Sequence, residues 1–232
     1  MRQMVVAGLA ALGMMAGAAQ AAIVQNGSFE QSFATPGKRN GGQVFDKLQS
    51  GRGSSWQVWD ALPGWTTKSG YGIEVQSNRT LRGIDAQHGL HYLEMDSNNN
   101  SSMVQEVVLD MGEHMLEFFY SPRTQRAQSN DISWGLDGLT KGVVSDRDAG
   151  TKIGQWTRVT QVFNVAKAGT YTLGFGALGR SDGLGGLLDN VSITAMGLSN
   201  TPAPVPLPGA ALMLASAAGA LVSIRRLRRA RT

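Results

Sequence analysis

The chain has 232 residues, 30 glycines and no cysteine, with a formal charge of +4. The lack of cysteine excludes a disulfide framework, a thiolate zinc site and a thiol nucleophile. Arg2 and the five arginines of 225–231 carry the excess charge, and residues 22–201 hold 15 Lys/Arg against 17 Asp/Glu, a net of −2. A faintly acidic body without basic runs excludes a nucleic-acid binder and offers no electrostatic case for an anionic partner. His88, His91 and His114 show neither HxxxH nor HExxH spacing, which argues against zinc chemistry.

In chain order, residues 1–21 read as a secretory signal helix. Arg2 supplies the positive start, Met4 to Ala19 the apolar stretch, and Ala19-Gln20-Ala21 an A-x-A site for signal peptidase, with cleavage after Ala21 on the Sec route. Residues 22–198 then follow a period of two. Strands are expected at Ile23–Glu30, Tyr71–Gln76, His91–Asp96, Met103–Leu109, Met115–Tyr120, Ile132–Leu136, Thr157–Val165, Thr170–Ala177 and Leu187–Ala195. Residues 31–60, rich in Gly, Ser and Gln, read as a long loop. Asn26-Gly27, Ser97–Ser102, Ala168-Gly169 and Gly179–Gly186 supply turns. About nine short strands with little helical signal predict an all-β sandwich or jelly roll.

Some residues stand out for chemistry. Asp189 shares the parity of Leu187, Val191 and Ile193, so a regular strand points its carboxylate at the core, where it needs a pairing partner or a metal. Asp96-Ser97-Asn98-Asn99-Asn100 starts like a calcium loop, but Ser101 and Val107 replace the required Gly and Glu, leaving a polar turn. Tyr92, Glu94 and Asp96 share one strand face. With Arg123 and an aromatic such as Trp134 they have the residue types of a sugar site, a ring under the C–H face and forked polar groups around the hydroxyls. Of the five tryptophans, Trp56 and Trp59 in the polar segment are the candidates for exposure, while the others read as core. Glu94 with Asp96, or Glu106 with Asp110, are the pairs a glycosidase would need. No nucleophile elbow, P-loop or dinucleotide fingerprint occurs, and the chain reads as non-enzymatic.

The C-terminal segment has three parts. Residues 199–208 form a linker stiffened by Pro202, Pro204, Pro206 and Pro208. Residues 209–232 hold an uncharged, largely apolar helix over 209–224, roughly 24 Å long, and then the arginine cluster that holds the end in the cytoplasm. This tail resembles the PEP-CTERM class of sorting signals, in its variant opening Val205-Pro206-Leu207-Pro208, with Pro-Leu-Pro in place of the commoner Pro-Glu-Pro. The resemblance implies processing by an exosortase-type membrane transpeptidase in a Gram-negative bacterium. It also implies transient inner-membrane anchoring, then release to the cell surface or extracellular matrix. A permanent tail anchor is the alternative.

A second resemblance covers the body. Asn26-Gly27-Ser28-Phe29-Glu30, Leu62-Pro63-Gly64-Trp65 and Gly186-Leu187-Leu188-Asp189-Asn190-Val191 resemble galactose-binding-like jelly rolls, the fold of extracellular carbohydrate-binding modules. Segments His91–Asp96, Tyr120–Arg123 and Gln155–Thr157 are similar in style. The likeness implies a structural Ca²⁺ between the first and last strands, held by Glu30 and Asp189, and a polysaccharide partner such as the host's exopolysaccharide. A structural matrix or adhesion protein acting through protein contacts stays open as the other reading, with a glycoside-active enzyme behind it.

Overall fold

A computed structural model describes residues 22–31, 37–40, 45–50, 53–125, 128–145, 147 and 152–196. The expected signal helix 1–21, sorting motif 205–208 and C-terminal apolar helix lie outside these residues. Among the described residues, no helix is long and apolar enough to cross a membrane.

Among the described residues, alternation of apolar and polar side chains builds thirteen strands and one short helix. They are β1 (Arg39–Asn40), α1 (Phe45–Ser50), β2 (Trp56–Trp59), β3 (Ala61–Leu62), β4 (Trp65–Ser69), β5 (Ile73–Ser77), β6 (His91–Glu94), β7 (Ser102–Leu109), β8 (Gly112–Ser121), β9 (Ile132–Leu136), β10 (Thr140–Val144), β11 (Thr157–Val165), β12 (Gly169–Ala177) and β13 (Leu187–Ala195). They form a seven-stranded sheet, β1-β2-β5-β6-β13-β8-β11, and a six-stranded sheet, β10-β9-β12-β7-β4-β3. All the pairings are antiparallel. The chain is an all-β jelly-roll sandwich.

The inner faces meet in one apolar core that includes Val75, Leu93, Leu116, Phe118, Leu173, Phe175, Leu188, Val191 and Ile193. A row of rings runs through it. Phe29 lies 6.1 Å from Trp65, Trp65 6.0 Å from Phe175, Phe175 5.1 Å from Phe118, and Phe118 5.9 Å from Trp134. Each fully buried large side chain contributes about 1.5–3 kcal/mol.

Residues 23–30 are not a strand. Asn26 and Phe29 both take positive φ, 51° and 56°, and fold the segment into a turn that drops Phe29 into the core. The three motifs of the second resemblance meet at this corner. The Trp65 indole N–H donates to the Asn26 carbonyl at 3.3 Å, and the Asn26 amide donates to the Pro63 carbonyl at 3.2 Å. The Val191 N–H donates to the Gly27 carbonyl at 2.8 Å. A Cβ on Gly27 would sit 1.9 Å from the Val191 carbonyl oxygen, so only glycine permits this approach. Asn26-Gly27-Ser28-Phe29 thus serves to close the sandwich.

Residues 31–60 also depart from the loop expectation, since they hold β1, α1 and β2, and Leu48 of α1 is fully buried. In β13 the pairing with β8 slips between Asp189 and Ser192, with Asn190 at φ 49°. This β-bulge inverts the parity expected for Asp189. Leu188, not Leu187, enters the core with Val191 and Ile193, while Leu187 and Asp189 turn to the outer face of the sheet.

Candidate functional site

The outer face of the seven-stranded sheet gathers the chemistry. Directly paired residues share a face, so the register lays Arg39, Val58, Glu74, Glu94, Leu187 and Ser121 in one row across β1, β2, β5, β6, β13 and β8. The next row holds Trp56, Gln76 and Tyr92. The loop between β5 and β6 covers part of this face. Beneath it Tyr92, Leu187 and Ile84 form a small second core, closed by Trp156, whose ring meets Tyr92 edge-on at 5.8 Å. The Trp156 indole N–H donates to the Asp85 carbonyl at 2.9 Å and pins the loop.

Tyr92, Glu94, Asp96 and Arg123 are brought to one region, but not as free ligand groups. Tyr92 is fully buried, and its hydroxyl donates to the Ile84 carbonyl at 3.5 Å. Glu94 pairs with the Arg123 guanidinium and accepts from the Gln76 amide at 3.1 Å and the Gly185 N–H at 2.9 Å. Arg123 also donates to the Gly183 carbonyl at 2.6 Å. Burial pulls the Arg123 pKa below its ordinary value, against the pull of Glu74, Tyr92 and Asp182. Asp96 accepts from the Asp182 and Gly183 N–H groups at 2.9 and 3.0 Å, and bridges to Asn100 to close the polar turn between β6 and β7.

Trp134 does not join them. It belongs to β9 in the other sheet, is 8% exposed, and packs against Phe118 and Gly142 inside the core. Its inward position follows from the alternation Ile132-Trp134-Leu136 on one face of β9. Besides Tyr92 and Trp156, the site's own side carries the rings of Trp56 and Tyr71, both half-buried; Trp59 points into the core. The Arg39 guanidinium lies 5.8 Å from the Trp56 ring and 5.7 Å from the Tyr71 ring, within cation–π range.

Two members of the site, Glu74 and Gln76, are absent from the sequence expectation. Their alternation with Ile73 and Val75 places them outward, yet only the register shows Glu74 opposite Glu94. The Gln76 amide donates to both carboxylates, at 2.5 Å to Glu74 and 3.1 Å to Glu94. Burial pushes the Glu74 pKa up to about 7, more than a bond from Ser97 and the charges of Arg123 and Arg39 pull it down, with Asp96 adding to the rise.

Glu30 and Asp189 meet at residues 87–91. Glu30 accepts from the Leu90 and His91 N–H groups, each at 2.7 Å, and faces His91 Nδ1 at 2.9 Å. His91 Nε2 meets the Leu48 carbonyl, so both ring nitrogens face acceptors and the imidazolium form suits the site. Burial disfavours that charge, but the bonds and charges of Glu30, Leu48 and Asp189 outweigh it and raise the His91 pKa. Against its own burial, the bonds and charge of His91 and the Leu90 N–H lower the pKa of Glu30. Asp189, with no exposed surface, accepts from His88 N–H at 2.9 Å and Asn190 N–H at 2.6 Å. Burial still drives its pKa up to about 7. Calcium requires six to eight oxygen ligands. Here N–H donors ring both carboxylates, the complement of a cation shell, so the pair as arranged does not fit the expected Ca²⁺. Among the described residues no group of three or more metal-ligating side chains comes together.

No family model matches the chain. Two curated relatives, multifunctional-autoprocessing repeats-in-toxin proteins of Vibrio vulnificus and Vibrio cholerae serotype O1, are 30% identical over 130 residues and 28% over 134. Those stretches are 55% and 57% of this chain, which spans only 2% and 3% of the length of the relatives it matches. Among solved structures, TmCBM61 in complex with β-1,4-galactotriose aligns at TM-score 0.45 and 14% identity, covering 76% of this chain and 99% of the other. A family 16 carbohydrate-binding module aligns at 0.37 and 13%, covering 52% and 84%. The CBM35 from Paenibacillus barcinonensis aligns at 0.36 and 18%, covering 57% and 93%. These three structural neighbours are carbohydrate-binding modules.

Proposed function

We propose that the protein is an exported, non-enzymatic surface or matrix protein that binds polysaccharide on the outer face of its seven-stranded sheet. One observation carries this reading. The face sets the exposed guanidinium of Arg39 5.8 Å from the half-buried Trp56 ring and 5.7 Å from the half-buried Tyr71 ring. Sugars are held by such a combination, aromatic faces under C–H groups and forked donors around hydroxyls. Glu94 and Asp96, the carboxylates nearest a catalytic pair, are each engaged by a guanidinium or by backbone N–H groups, which suits a positioning role.

The sorting reading rests on sequence. Residues 1–21 are the signal peptide, 22–198 the sandwich, 199–208 the linker with Val205-Pro206-Leu207-Pro208, and 209–232 the membrane helix and arginine stop. Export by Sec and processing by an exosortase-type enzyme follow from that order. Mass spectrometry of the protein from its host tests this part, and an intact peptide reaching Arg231 refutes it. A glycan array probed with the purified protein tests the binding. Retention of one glycan class is expected; a blank array that includes the host's own exopolysaccharide shifts the function to protein contacts in the matrix.

A further inference from the structure

The charges on the proposed binding face are sorted by depth. Glu74, Glu94, Asp96 and Asp189 are 4%, 2%, 0% and 0% exposed, and each is already bonded to N–H donors. The guanidinium groups lie above them. Arg39 and Arg82 are exposed, and the Arg123 side chain keeps 21% of its surface. Arg123 uses Nη1 on Glu94 and Gly183. Its Nε and Nη2 carry three more N–H donors.

Arg39 and Arg123 both act on Glu74, and Arg82 acts on Arg123. Among the described residues neither Arg39 nor Arg82 has a carboxylate at ion-pair distance, whereas Lys38 has Asp60 and Arg79 has Asp85 at 4.0 Å. Asp182, the acidic neighbour of Arg123, accepts the Ser129 hydroxyl at 3.1 Å. Arg82 also sits at φ 51°. This left-handed conformation is uncommon for residues other than glycine, and such outliers cluster at sites that bind ligands.

Resting on the polysaccharide reading, we infer that the ligand is an anionic glycan whose sugar carboxylates seat against Arg39, Arg82 and Arg123. A planar guanidinium matches a carboxylate edge through two parallel N–H bonds, and Trp56 and Tyr71 beside Arg39 supply the ring faces for the uncharged side of the same sugar. A Glu74 that holds its proton near neutral pH leaves the arginine charges for the ligand and adds an O–H donor to the floor. The net of −2 over residues 22–201 hides this face, because the acidic residues are spread over the molecule or buried beneath it.

The test is affinity electrophoresis and calorimetry of the intact protein with polygalacturonate and with the same chain fully methyl-esterified. Polygalacturonate should bind, bind more weakly as salt rises, and bind at least about tenfold more tightly than the ester does, the difference expected for one charge-assisted hydrogen bond. The double variant Arg39→Gln, Arg82→Gln, with its melting temperature checked against the parent, should lose polygalacturonate binding by about tenfold or more and lose its preference for the acid over the ester. Equal affinity for acid and ester overturns the anionic inference while the polysaccharide reading stands. Binding of neither chain overturns the inference, and a blank glycan array in addition overturns the polysaccharide reading.

Discussion

Asp189 costs the folded state free energy whenever it is ionised, and Asp189→Asn isolates that cost. The carboxylate has no exposed surface, and burial moves its pKa from 3.8 to about 7 in spite of its N–H donors. A folded-state pKa above the unfolded one means that the native protein holds the proton more tightly. The stabilisation from that proton is complete below the unfolded value near 3.8 and is lost as pH rises through about 7. The gap corresponds to about 4 kcal/mol near pH 8, and to about 1.5 kcal/mol near pH 5, where only part of it has developed. Asn keeps the shape and removes the charge, but its NH₂ faces a backbone N–H, a fixed cost of about 1–3 kcal/mol. That cost cancels when the two pH values are compared. The variant, relative to the parent, should therefore be more favourable near pH 8 than near pH 5 by about 2.5 kcal/mol. Urea unfolding followed by tryptophan fluorescence at both pH values measures the difference. Equal effects at the two pH values refute the reasoning, because they mean that Asp189 titrates in the folded protein as it does in water.

Gly27→Ala should destabilise the domain by about 2–4 kcal/mol, since its Cβ would fall 1.9 Å from the Val191 carbonyl oxygen and part the N-terminal turn from β13; thermal unfolding reads this directly, and an unchanged melting temperature contradicts the close approach. Millimolar Ca²⁺ added after EDTA should leave the melting temperature unchanged, because N–H groups occupy the Glu30 and Asp189 oxygens. A rise would show that residues 87–91 can turn carbonyls toward a cation.

The fold was legible where strands are long and regular. β9, β11 and β13 begin and end where the sequence pattern predicts, and in β9 the reason is plain, since every second residue is buried. The strands within 31–60 were not, since β1 has two residues and β2 four, too few to display a period. Asp189 shows the limit within a well-placed strand. One extra residue at Asn190 inverts its facing, and nothing in Leu187–Ala195 marks a bulge before its pairing with β8 is known. Tyr92, Glu94 and Asp96 were readable as one face because β6 is regular. Glu74 and Arg39 reach the same place only through register, a long-range property that local composition does not encode.

The last strand among the described residues, β13, is not at the edge of its sheet. β13 lies between β6 and β8, so residues 187–195 join β1-β2-β5-β6 to β8-β11, and they also receive the turn that begins at residue 24. Without those residues β1-β2-β5-β6 and β8-β11 share no ladder, and the N-terminal turn has nothing to dock on. Completion of the seven-stranded sheet therefore needs the C-terminal end of the domain and rests on contacts distant in sequence. Truncation anywhere before residue 187 removes the keystone strand and, with it, both the floor beneath Tyr92 and the seat of Gly27.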